Sequence, residues 1–171
     1  VHILLMLAAS ATTAAPDHLR PARSSSPEMA AFAMARVCLP MVRDGAAFET
    51  LVRGAGSPWK AEPGAYALNG TTPNIVQPRG QGCYFRIDRG DPDRMRDAVV
   101  DAMTAAGAAP REGKSFDSGP AGGGPLRQEA HCLTAANGAG VPLALLISRK
   151  VSGRGPALQA SVFTDARRCA P

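Results

Sequence analysis

"LRQEAHCLTAANGAGVPLALLISRKVSGRGPALQASVFT" (Leu126–Thr164) decides the fold. Three apolar-rich runs, Leu126–Ala135, Val141–Val151 and Ala157–Thr164, are parted by Gly138–Gly140 and Gly153–Gly155. Short apolar runs between glycine clusters read as strands joined by turns. The middle run is the most apolar, so the three form an antiparallel meander with that strand at its centre. Upstream, "DPDRMRDAVVDAMTAAG" (Asp91–Gly107) reads as a helix. Asp91 is its N-cap, Pro92 takes the first position and Gly107 ends it. Met95, Ala98, Val99, Ala102, Met103 and Ala106 make one apolar stripe, while Arg94, Asp97 and Asp101 point to water.

Working outward, "CYFRI" (Cys83–Ile87) is a strand, and Asn69-Gly70 marks a ragged hairpin in the proline-punctuated stretch before it. Ser25–Val42 carries a helix that Ser26 caps, with Pro27 first, Glu28 on the positive end of the dipole, and Pro40 ending or kinking it. Asp44 is expected to cap a second short helix in Gly45–Gly54, with Phe48, Leu51 and Val52 on one face. "SFDSGPAGGGP" (Ser115–Pro125) reads as a loop by composition. The order of elements predicts an α+β fold, a mainly antiparallel sheet with two or three helices packed on it.

The N-terminal run Ile3–Ala11 is far too short to span a bilayer, which needs about 20 apolar residues. Small residues follow it, as in the second half of a secretory signal peptide, although no positive n-region precedes it. The expected organisation is a signal over 1–15, a linker over 16–25 and one domain over 26–171. The four cysteines, Cys38, Cys83, Cys132 and Cys169, lie beyond the signal and contain no close pair. Zinc ribbons and thioredoxin-like sites need close pairs, so two structural disulfides in an oxidising compartment fit better. Four cysteines permit three pairings; the shorter loops of 38–83 with 132–169 are the less costly to close. The expected location is the periplasm or the medium.

Three stretches imitate catalytic motifs. "AAPREGKS" (Ala108–Ser115) matches a loose phosphate-binding loop, but such a loop joins a strand to a helix, and here a helix precedes it and a glycine-rich loop follows. Lys114 therefore has no phosphate cradle, and no nucleotide is expected. "DSGPAGGGPL" and "EAHC" resemble fragments of the nucleophile and histidine motifs of trypsin-like serine proteases. In that family the histidine comes first, whereas His131 follows Ser118, and the family is all-β. "QPRGQG" (Gln77–Gly82) resembles the acyl-CoA pyrophosphate loop of N-acetyltransferases, yet a strand follows it where that loop needs a helix. His2, His18 and His131 are scattered, so no metal site is read. No catalytic residue and no cofactor is assigned. Asp88, Asp91, Asp93 and Asp97 interleave with Arg86, Arg89, Arg94 and Arg96, which reads as a solvated, self-compensating corner.

The formal charge of +5 permits attraction to lipid headgroups, acidic glycans or nucleic acid. The cations are dispersed, densest at Arg149-Lys150 with Arg154 and at Arg167-Arg168, so nucleic-acid binding is disfavoured. Trp59 and Tyr66 are read as anchors of a long loop to the core. The signal-like start, the bias to arginine over lysine (16 to 3) and the α+β layout together resemble small exported proteins of GC-rich proteobacteria. That resemblance implies no active site. The expected function is a non-enzymatic domain that binds a protein or envelope component. The alternatives are a small exported hydrolase using Ser118 and His131, or a periplasmic inhibitor or immunity-type protein.

Overall fold

The computed structural model describes residues 27–53, 59–62, 65–68, 71–111, 113–118, 125–165, 167 and 169. The expected signal, linker and Ser26 cap, and the side chains of Trp59, Tyr66 and Ser118 lie outside that description.

Among the described residues, eight strands make one antiparallel sheet: β1 (Trp59–Glu62), β2 (Ala65–Leu68), β3 (Thr71–Arg79), β4 (Gly82–Ile87), β5 (Lys114–Ser118), β6 (Leu126–Ala136), β7 (Pro142–Lys150) and β8 (Leu158–Thr164), in the order β1-β2-β3-β4-β8-β7-β6-β5. The meander of β6, β7 and β8 is present, and β2 pairs antiparallel with β3; the expected Asn69-Gly70 turn lies outside the described residues. With the helices packed on the sheet, the fold is α+β.

Because side chains alternate across a strand, each strand offers one row to the helices. That inner face carries Val76, Cys83, Phe85 and Ile87 on β3 and β4, and Leu158, Ala160, Val162, Leu143, Leu145 and Ile147 on β8 and β7, all essentially without solvent access. Burying each of the large side chains contributes about 2 kcal/mol.

The helix α4 (Pro92–Ala105) lies over this face. The Asp91 side chain accepts hydrogen bonds from the N–H groups of Asp93 and Arg94, and Pro92 needs no such partner. Met95, Val99 and Met103 are its buried stripe, while Arg94, Asp97 and Asp101 are exposed. Gly107 leaves the helix at φ 76°, where a side chain would be strained.

The first helical segment departs from expectation. Helix α1 (Pro27–Phe32) passes into a π-helical stretch (Ala33–Cys38) and then into α2 (Leu39–Asp44), so Pro40 neither ends nor interrupts it. A proline lacks an N–H and clashes with the carbonyl one α-turn before it. The wider π turn directly ahead of Pro40 displaces those carbonyls and lets the chain stay helical. Asp44 accordingly ends α2 rather than capping the next helix. Gly45 follows in the left-handed conformation at φ 67°, and α3 begins only at Phe48 (Phe48–Arg53). Phe48 and Val52 are buried and Leu51 half-buried, as their spacing requires. The Arg43 guanidinium holds Asp44 at 2.8 Å and also donates to the Ala106 carbonyl at 3.0 Å, tying α2 to the C-terminal end of α4.

A second correction concerns the start of the expected loop Ser115–Pro125: Ser115–Ser118 are strand, with Lys114 before them. Together they form β5, paired with Leu126–Ala130 of β6. Pairing with a long neighbouring strand outweighs the poor local propensity of the glycine-rich surroundings.

The cysteines form two disulfides, Cys38–Cys83 and Cys132–Cys169. The first ties the π-helical stretch to β4 on the inner face. The second lies on the outer face, where Cys132 pairs in register with Ala144. No described helix is long and apolar enough to cross a membrane.

Candidate functional site

The helices occupy the inner face. The outer face of β3, β4, β8, β7 and β6 is a grid set by strand register. One row runs Arg79, Gly82, Phe163, Ala144, Cys132. The next runs Gln77, Tyr84, Ser161, Leu146, Ala130, and the third Ile75, Arg86, Gln159, Ser148, Gln128. Small residues (Gly82, Ser161, Ala144, Ser148) alternate with Tyr84, Phe163 and Leu146, and amides and guanidinium groups lie among them. Most of these side chains are half-buried by one another; Ala144 and Ser148 are buried and Arg79 is exposed.

Local contacts fix the larger groups. The Arg79 guanidinium sits 5.7 Å from the centre of the Tyr84 ring, a cation–π arrangement between diagonal neighbours on β3 and β4. Burial pushes the Tyr84 hydroxyl above its ordinary range despite Arg86 and Arg79 nearby. Arg86 pairs with Asp88 at 2.8 Å, and its hydrogen bond to that carboxylate holds its pKa up. At Gly82 an added Cβ would stand 2.7 Å from the Val162 carbonyl oxygen and 2.9 Å from the Phe163 Cβ. Glycine there is what lets β8 bring Phe163 onto the face.

At the end of the sheet, the β3–β4 turn, the β6–β7 turn and α2 enclose an open cleft of about 690 Å³. Met41 and Val42 give it an apolar side, and Gln81, Asn137, Asp165 and Arg167 a polar one. Asn137 is occupied locally, accepting hydrogen bonds from the N–H groups of Ala139 and Val141. Thr164 donates to the Gln81 side-chain oxygen at 3.3 Å.

The inner face holds one charged cluster that the sequence reading did not single out. Glu129 of β6 is 6% exposed. Its carboxylate receives Arg96 from α4 at 2.9 Å and Arg149 from β7 at 3.1 Å, with His131 Nε2 at 3.4 Å. Arg149 also pairs with Asp93, and Arg96 with Asp97 at 3.0 Å. Burial works against the charge on Arg96, but hydrogen bonds to Asp97 and Glu129 outweigh it and raise its pKa. A buried carboxylate with two guanidinium partners is a fastening between helix and sheet, since both charges are compensated.

The motif look-alikes fall elsewhere. Of Ala108–Ser115, Ala109–Arg111 lie along β6 and Lys114 and Ser115 belong to β5. The Arg111 N–H donates to the Cys132 carbonyl at 2.8 Å, and the Arg111 carbonyl accepts from His131 Nδ1 at 3.0 Å. Gln77–Gly82 is the β3–β4 hairpin turn, with Gly80 at φ 58°. Ser118 pairs with Leu126 and Lys114 with Ala130, so Ser118 sits five positions along β6 from His131. At strand spacing the two backbones are about 17 Å apart, and the register does not bring them together. The acidic corner is partly solvated as expected, but Asp93 and Arg96 reach the sheet rather than one another.

Among the described residues no three acidic, histidine or cysteine side chains gather as metal ligands. Compared with protein-family profiles, curated proteins and solved structures, the chain gives no match.

Proposed function

We propose that this is a non-enzymatic domain of the periplasm or the extracellular space, which binds a protein or cell-envelope component through the outer face of its sheet. The observation that carries the reading is the asymmetry of that sheet. One face is sealed by helices, and the other carries a mixed polar and aromatic grid. Two disulfides support the compartment, because such bonds persist where thiols are oxidised. An export signal ending near Ala15 belongs to the same proposal. The separation of Ser118 from His131 along β6 weighs against the hydrolase alternative.

A photo-reactive residue placed at Gln159 on the outer face, with a second chain carrying it at Asp101 on α4, tests the reading in envelope and medium fractions. Covalent capture from Gln159 and not from Asp101 is the expected outcome. Equal capture at both positions, or none at either, overturns it.

A further inference from the structure

Resting on that reading, we propose that the ligand of the outer face is an acidic polysaccharide. The first argument is charge. Among the described residues the outer face holds the cations Arg79, Arg86, Lys114 and Lys150 against one carboxylate, Asp88. On the helical side the acidic groups Glu28, Asp93, Asp97, Asp101 and Glu129 are offset by Arg36, Arg94, Arg96 and Arg149. Among the described residues no carboxylate pairs with Arg79 or Lys150. The outer face therefore carries a net positive charge where the helical side is nearly balanced, and an anion is drawn to it.

The second argument is spacing. At sheet dimensions Arg79, Arg86 and Lys150 form a diagonal of about 25 Å across β3, β4 and β7. A linear polyanion can meet all three, which a single small anion cannot. The third is the chemistry between them. Gln77, Gln159 and Gln128 each offer an amide that donates and accepts, and Ser161 offers a hydroxyl, as paired sugar hydroxyls require. Phe163 and Leu146 supply apolar contact for the C–H faces of a sugar ring. Tyr84 holds the Arg79 guanidinium over its ring, which reduces the freedom lost when Arg79 meets a uronate carboxylate.

Affinity electrophoresis of the full chain in gels containing polygalacturonate, with neutral dextran as control, tests the proposal. Retardation is expected in polygalacturonate alone, and it should disappear at ~1 M salt, where screening acts within about 3 Å. Arg79→Gln with Lys150→Gln should weaken binding about fivefold to tenfold. Asp88→Asn, which removes the one opposing charge, should strengthen it. Arg94→Gln on α4 should change nothing. No retardation, equal retardation in dextran, or equal loss in the Arg94→Gln chain overturns the glycan. Capture of a protein from Gln159 without retardation in polygalacturonate overturns the glycan and leaves the binding reading standing.

Discussion

Arg96 reaches from α4 to the buried carboxylate of Glu129 on β6, 2.9 Å away, and so fastens the helical layer to the sheet. The same carboxylate holds Arg149, so its loss leaves two guanidinium groups without their shared anion. Arg96 and Arg149 keep 31% and 22% exposure, and water softens the penalty. Glu129→Ala is expected to destabilise the protein by about 2 kcal/mol, below the value for a fully buried pair. Urea denaturation should show a lower midpoint with an unchanged slope. An unchanged midpoint would mean that the cluster contributes nothing net.

Tyr84 sets a dependence on alkaline pH. Its folded pKa is raised by burial, so the folded state disfavours the phenolate. The stability this contributes is complete below the unfolded value of about 10 and is lost as pH rises through the folded value. Tyr84→Phe should flatten the fall in stability above that pH. Ultraviolet titration of the phenols should show one group ionising later than in the unfolded chain.

The disulfides close separations of 45 and 37 residues. Loop-closure entropy assigns each about 4 kcal/mol. Cys38→Ala with Cys83→Ala should therefore lower the melting temperature strongly, as should Cys132→Ala with Cys169→Ala. Non-reducing mass spectrometry of the intact chain should find four hydrogens fewer than in the reduced chain, and full thiol labelling without reductant would contradict it.

Gly113 lies so close to β6 that an added Cβ would stand 2.2 Å from the Ala130 carbonyl oxygen and 2.5 Å from His131 Nδ1. Gly113→Ala must push the chain there away from β6. A loss of about 2 kcal/mol is expected, in the range of overpacking. A weakened contact from His131 to the Arg111 carbonyl should shift the imidazole resonances in NMR; unmoved resonances would argue against the close approach.

Much of this architecture is readable from local signals. Asp91, Pro92 and Gly107 punctuate α4, and glycine clusters mark the turns of the β6–β7–β8 meander, because caps and turns act over a few residues. What escapes is non-local. Glu129 takes its meaning from Arg96 and Arg149, 33 and 20 positions away, and nothing near Glu129 announces either. Strand β5 is hidden by its neighbours' glycines and exists through its pairing with β6. Pro40 promises a break that the π turn before it removes. The outer face becomes visible only when register sets Gln77 beside Tyr84 and Tyr84 beside Ser161.

Strand β8, the last of the described strands in chain order, is inserted between β4 and β7. Until it arrives, β1–β4 and β5–β7 are two separate wings with no strand-to-strand hydrogen bonding between them, each with a bare inner edge. Completion of the sheet thus waits for residues near Leu158–Thr164 to follow all the others. Ending the chain ahead of Leu158 should therefore yield a product prone to stick through those two edges.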